Sequence, residues 1–375
     1  MNRMCCVLKG LLILCSSSVA AQVQSPAEVR ADLLRNVHLI NSEGAPGAVL
    51  CVGSNAFPVV GAKCGSAVQS VAAATRFGKG RVLAFGHPSF CSGESFAKGD
   101  TATLITNSLV WLGQGKNTVA VYKNADFAKA LRRIGGFTVQ ELPSLDALST
   151  AAVLATYPDH LPPAEIDRVR AYVSAGGGLL ASGIGWGWKQ VSGGKSLATE
   201  NLFNRLLGPT GLLINDDLAD RTAPDGYLTD APIPVGVNAS EALRLATAGT
   251  VTDVNVLHQI NQTLCAVKAV LPPNEAVFTA AFTSLMRSPE ALKLPSPESP
   301  LKAGDLPARL ALLEHQSAWR AKPLDPWPAH PSASTYPGLP PPGAPRGSRT
   351  LTVSLDVPRW HSTGLYASAG EPVTV

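Results

Sequence analysis

The residues best suited to chemistry fall in two short stretches. The first, "GIGWGWKQVSGGKS" (183–196), is glycine-rich and ends in Gly194-Lys195-Ser196, like the tail of a phosphate-binding loop. Such a loop needs a glycine five residues before Gly194, and Lys189 stands there. Gly183, Gly185 and Gly187 give G-x-G-x-G, which is not the dinucleotide spacing. No helix start is expected close enough to hold a phosphate. Trp186 and Trp188 offer another chemistry. In an extended segment they point the same way and can stack on a sugar ring. They can equally cap the sheet and bury apolar area. Gly185, Trp186, Gly187 and Trp188 are therefore the candidate ligand- or glycan-binding residues.

The second stretch is "FGHPSFCSG" (85–93), which follows a strand-like run. A serine or cysteine nucleophile needs a base and an orienting group within reach. Ser89 stands near where a nucleophile would sit, but Pro88 and Phe90 do not suit a sharp elbow, and Cys91 comes two residues late. The next histidine, His160, lies in "PDHLPP" with no His-x-Glu pair downstream. Metal chemistry has little to draw on. The histidines are His38, His87, His160, His258, His315, His330 and His361, and no two are four apart. "LEHQSAW" (313–319) has a glutamate before His315 but no second histidine. The reading assigns no catalytic residue and no metal ligand.

The elements that must position these stretches alternate. Strands are expected at the opening of 47–60, at 80–87, 118–122, 137–142 and 151–156, and in 178–186, where the strand runs into a glycine-rich turn; most are continuous apolar runs. Helices are expected between them. "DTATLITNSLVWLG" (100–113) opens on Asp100 as N-cap. "NADFAKALRRIGG" (124–136) carries Phe127, Leu131 and Ile134 on one face and stops at two glycines. "PPAEIDRVRAYVSAGGG" (162–178) carries Ile166, Val169 and Val173. Buried strands alternating with amphipathic helices predict an α/β, doubly wound parallel sheet over 45–235. Ligands then bind at the carboxyl ends of the strands, where both stretches lie.

Beyond the sheet, helices are expected at 239–249, 252–271, 275–288 and 305–321, a helical connector over 236–321. A proline-rich linker follows at 322–348, extended or draped over a neighbour. "RTLTVSLDV" (349–357) alternates apolar and polar residues like a half-buried strand, and Pro372-Val373-Thr374-Val375 reads as another strand beginning. Residues 349–375 thus look like the incomplete start of a β-rich lobe.

The 375 residues are 45% hydrophobic and only 15% charged, with net charge +4, so a sizeable core is possible and nucleic-acid binding has no basic stripe to support it. Arg3, Lys9, "GLLILC" (10–15) and "SSVAAQ" (17–22) predict a signal peptide over 1–21 and a secreted or periplasmic protein. Residues 22–44 form a lead-in. No other run is long enough to span a membrane. Cys51, Cys64, Cys91 and Cys265 would remain, with three pairings open or none. Asn238-Ala239-Ser240 and Asn261-Gln262-Thr263 match the glycosylation pattern.

"GKGRVLAFGH", "NSLVWLGQGKN" and "YVSAGGGLLASGIGWGW" together resemble the glutamine-amidotransferase-like module that precedes the catalytic domain of bacterial immunomodulating metalloproteases. A similar module occurs in animal channel-associated factors. "VPRWHSTGLYASAGEPVTV" resembles the entry to the enhancin-like, mucin-degrading zinc metallopeptidase domain. The resemblance implies a non-catalytic N-terminal accessory region of a secreted zinc metallopeptidase that cleaves mucin-type O-glycoproteins. Such a region positions the catalytic domain or binds glycoprotein. The family works through zinc on an H-E-x-x-H helix. This chain has no such motif, so zinc belongs to a missing C-terminal peptidase domain, the chain alone is expected to be inactive, and it carries no cofactor of its own. The implied partners are that domain and host or mucin-type glycoproteins. A small-molecule hydrolase or transferase using Ser89, Cys91 and Gly183–Gly187, or a stand-alone interaction scaffold, are the alternatives.

Overall fold

The computed structural model describes residues 24–287, 298–302, 304–320, 331–335, 338–354, 356 and 360–367. The expected signal peptide and the 372–375 strand lie outside them.

The elements run α1 (Pro26–Leu33), β1 (Leu39–Ile40), β2 (Gly47–Cys51), β3 (Phe57–Cys64), β4 (Ala67–Phe77) and β5 (Gly80–Phe85). Then come α2 (Gly93–Phe96), α3 (Thr101–Gly113), β6 (Thr118–Tyr122), α4 (Ala125–Ile134), β7 (Thr138–Leu142), β8 (Val153–Thr156), α5 (Ile166–Ser174) and β9 (Gly178–Ser182). They continue with α6 (Gly185–Val191), α7 (Leu202–Leu207), β10 (Leu212–Asp220), β11 (Tyr227–Leu228), α8 (Ala239–Ala248), α9 (Val254–Val270), α10 (Ala276–Met286) and α11 (Leu306–Arg320).

Nine strands form one sheet in the order β2-β10-β3-β4-β5-β9-β8-β6-β7. From β5 to β7 every pairing is parallel. From β5 back to β2 every pairing is antiparallel. The molecule is therefore mixed α/β, and the all-parallel sheet expected from sequence holds for half of it. The other half is built by two-residue hairpins. Cys64 pairs with Ala67 across Gly65-Ser66, and Phe77 with Gly80 across Gly78-Lys79. A glycine first in a two-residue turn matches the right-handed strand twist. β2 also pairs with β4, Val49 opposite Ser70. The pairings β2–β10–β3–β4–β2 thus close a four-strand ring.

Side chains alternate across the parallel half. Val119, Val121, Val153 and Ala155 face a core shared with Leu104, Ile105 and Leu109 of α3 and Phe127 and Leu131 of α4. Ala120, Tyr122 and Leu154 face the opposite core with Ile166, Val169 and Val173 of α5 and Phe203 of α7. Both faces are covered, as a buried parallel sheet requires. The helices after 238 join the first of these cores through Ile260, Leu264, Val267 and Phe282. Gln259 fastens them to the sheet: its side-chain amide accepts from Val68 N at 3.0 Å and donates to Val68 O at 2.8 Å.

Of the strand expected at 349–357, residues 349–354 are irregular, and 355 and 357 lie outside the described residues. A strand is held by ladder bonds to a neighbour, and no described strand pairs with this segment. Trp360 is fully exposed in the same region. No helix among the described residues is long and apolar enough to cross a membrane.

Candidate functional site

The two stretches singled out from sequence meet at the carboxyl ends of β5 and β9. Residues 41–47 bind them together as a strap. Gly47 N donates to Gly86 O at 2.8 Å, and Gly86 N donates to Val71 O at 2.9 Å. The Trp186 indole N–H donates to Ala45 O at 2.9 Å. No signal in the sequence marks the strap, because its contacts are made by backbone carbonyls and small residues.

The 183–188 turn differs from expectation. β9 stops at Ser182, and α6 begins at Gly185. Residues two apart on a helix sit about 200° apart, so Trp186 and Trp188 do not share a face. Trp188 packs partly buried against the core, while Trp186 borders the strap. Trp188 thus buries apolar area, and Trp186 is the one of the two that lies beside the strap. Of the two glycines that flank Trp186, only Gly185 is required by the backbone. A Cβ on Gly185 would lie 1.9 Å from Asn215 O, and one on Gly187 would touch the Ile184 side chain at 3.4 Å. Gly185 is the residue that lets α6 lie against β10.

After β5, His87 caps a short 3-10 turn, Pro88–Cys91. His87 Nδ1 accepts from Ser89 N at 3.1 Å and stands 2.6 Å from Ser89 Oγ. The same hydroxyl donates to Glu43 O at 2.6 Å and lies 2.6 Å from Ser42 Oγ. One hydroxyl proton is thus shared between a carbonyl and an imidazole nitrogen already holding an amide. Burial keeps His87 below its ordinary pKa, hence neutral. Among the described residues no carboxylate hydrogen-bonds His87, so an orienting acid is missing from the pair. The arrangement ties the strap to the turn. Sequence reading missed the Ser42–Ser89–His87 contact because Ser42 lies 47 residues from Ser89.

Cys91 is buried, and burial pushes its thiol up to about 12. Cys51 and Cys64 are likewise pushed up to about 12 and Cys265 to about 11, and all four thiols are free. A thiol at such a pKa supplies almost no thiolate near neutral pH. No group of three or more His, Cys, Asp or Glu suited to a metal ion occurs among the described residues. Neither glycosylation triplet presents its asparagine: Asn238 donates to Gly53 O and Ala56 O while capping α8, and Asn261 is buried.

The strap's outer side forms one wall of a polar cleft of about 640 Å³. Asn41, Ser42, Glu43 and Gly44 line it opposite Lys98, Arg221 and Asp225. Lys98 bridges Glu43 at 3.1 Å and Glu94 at 3.3 Å. Arg221 makes only long contacts, to Pro224 O at 3.4 Å and Ser42 O at 3.5 Å. The volume suits a small ligand or a few residues of a partner, and the mixed charge suits polar recognition.

Fold and site together define a mixed α/β protein with a polar cleft beside the strap and, among the described residues, no assembled nucleophile. The family model described as "TRPM8, N-terminal domain" matches residues 13–225, more than half of the chain, and the chain belongs to that family. It is 28% identical over 193 residues to a TRPM8 channel-associated factor homolog of Xenopus laevis, covering 50% of this chain and 19% of the relative. It is 29% identical over 189 residues to human TRPM8 channel-associated factor 1, covering 49% of this chain and 19% of the relative. The chain spans about a fifth of the length of the curated relatives it matches. Among solved structures it is similar to the IMPa metallopeptidase in complex with T-antigen, with TM-score 0.48 and 15% identity. That match covers 76% of this chain and 37% of the other, and at this level it carries no argument. The sequence match therefore falls on the channel-associated side of the expected resemblance.

Proposed function

We propose that this chain is a non-catalytic accessory and binding region of a longer exported protein, acting through the strap and its cleft. Its following domain is read as a zinc metallopeptidase that cleaves mucin-type O-glycoproteins, and the region positions that domain or binds glycoprotein. The amidotransferase-like reading of the sheet belongs to this proposal. The observation that carries it is the state of the strand ends. The Ser89 hydroxyl and the His87 imidazole are spent on holding the strap, while an open polar cleft stands beside them. The family membership supports an accessory role, and the relatives' names point to a second reading, association with a channel protein.

The test is to pass the purified chain over immobilised mucin and, separately, to incubate it with mucin and zinc. Binding that Arg221→Ala and Trp186→Ala each weaken about tenfold, ~1.4 kcal/mol, with no cleavage, is the expected result. Cleavage by this chain, or binding indifferent to both substitutions, overturns the reading. Sequencing the N-terminus of the protein exported by its own cells tests the location: a start near residue 21 is expected.

A further inference from the structure

Among the described residues the nine-stranded sheet is open on one side only. At the β2 end the ring closes, because β2 pairs with both β10 and β4. At the other end β7 pairs with β6 alone, and no described strand covers its outer side. An uncovered edge is a row of unspent backbone donors and acceptors. The ladder fixes which groups these are. Thr138 N donates to Asn117 O at 3.0 Å, so Thr138 faces β6, and the alternation of the pair turns Gln140 and Leu142 the same way. The N–H and C=O groups of Val139 and Glu141 therefore point outward. Among the described residues one side chain reaches them: the Arg132 guanidinium, 3.5 Å from Val139 O.

Little blunts this edge. "TVQEL" contains neither proline nor lysine, and its register with β6 runs without a bulge. Its one charge, Glu141, is met by Arg132 of the same chain at 2.7 Å. Ile134, at the end of α4, is 37% exposed just before it. The edge is also complementary to itself. Two β7 strands laid antiparallel about Gln140 set Val139 of each opposite Glu141 of the other. Both residues face outward, so each such pair exchanges both of its N–H···O bonds. Centring on Glu141 would instead set two carboxylates face to face, which is unfavourable. Centring on Val139 would leave Glu141 beyond the strand of its mate.

We propose that β7 pairs with β7 of a second copy of this chain, antiparallel and centred on Gln140, so that two sheets join into one. Charge agrees with this register. Each Glu141 carboxylate comes beside Val139 of the other copy, where that copy's Arg132 already reaches, so carboxylates and guanidiniums alternate across the seam. The two Gln140 side chains meet at the centre. Gln140 Oε1 has one long contact, from Thr150 Oγ1 at 3.4 Å, and its amide nitrogen has none among the described residues. Each amide can therefore donate to the other. A short strand held by main-chain bonds makes a weak, reversible dimer, at the small end of specific interfaces. The pairing rests on the sheet edge and does not depend on the function proposed for the strap.

The test is sedimentation velocity of the whole chain from low to high micromolar concentration, alongside melting curves of each variant. A monomer–dimer equilibrium with a micromolar dissociation constant is the expected result. Gln140→Lys sets like charges directly opposite, and Val139→Pro removes an outward donor that β6 does not use; each should weaken the dimer about tenfold or more. Gln140→Lys should melt with the parent, and it decides the matter if Val139→Pro fails to fold. Under a mild oxidant Gln140→Cys should give a disulfide-linked dimer, because directly opposed residues bring their Cβ atoms to about 4.5–5.5 Å. Thr138→Cys and the parent should not. A parent that stays monomeric throughout overturns the proposal. So does a dimer indifferent to Gln140→Lys, or one that Thr138→Cys cross-links as readily as Gln140→Cys.

Discussion

At Gly185 the whole packing of α6 on β10 rests on a missing methyl group. Ala there would place its Cβ 1.9 Å from a backbone carbonyl, which cannot rotate away. Gly185→Ala should therefore cost about 1–3 kcal/mol, read as a fall in the denaturation midpoint, and should displace Trp186 from Ala45. Asp159 gives a prediction of opposite sign. Burial raises its pKa above the ordinary value. A raised acid contributes stability fully below its unfolded pKa and loses it as pH climbs through the folded value. Asp159→Asn, which imitates the protonated form, should then raise the melting temperature by a few degrees at pH 7 and much less at pH 3. Sequence made Trp186 and Trp188 visible because tryptophan and glycine are conspicuous. It could not show that a helix starts at Gly185, because the approach of Asn215 O that sets this geometry comes from a strand thirty residues away.

Among the elements, the helices were the easiest to read. α3, α4, α5 and α8 lie within the ranges that periodicity and terminal glycines set, and α9 within the range its apolar period set. β4 was not readable as a strand. Its "AVQSVAAATRF" is alanine-rich and weakly patterned, and it becomes a strand because hairpin turns on both sides hand it partners. Residues 349–354 are the reverse case, well patterned but unpaired among the described residues. Gln259 tests how tightly α9 is fastened. Its amide replaces a neighbouring strand for Val68, so Gln259→Leu removes both bonds to Val68 and a third to Thr263 Oγ1, and leaves a partly buried N–H and C=O. A loss of about 2–3 kcal/mol is expected, measured by urea denaturation, with amide exchange speeding at Val68 and its neighbours.

For the whole molecule, the helices after residue 238 are a wall of the sheet's core, not a neighbour to it. Ile260, Leu264, Val267 and Val270 are buried to 2% exposure or less. Fully burying each is worth roughly 1.5–3 kcal/mol. A chain cut after residue 235 should therefore aggregate or bind a hydrophobic dye, whereas the parent should do neither. If the short form instead melts cooperatively near the parent's temperature, this coupling is absent.

The four-strand ring carries a consequence for how the chain reaches this state. β10 must seat itself between β2 and β3, and its residue Leu212 pairs with Cys51 across 161 positions of sequence. β6 to β9, by contrast, meet through crossovers of a few dozen residues. Long-range closure is slow because its entropy is lost before any contact is gained. During synthesis the parallel half can form early, while β2, β3 and β4 wait with one edge open until residue 220 has emerged. That waiting edge is where a growing chain of this protein is most exposed to mispairing.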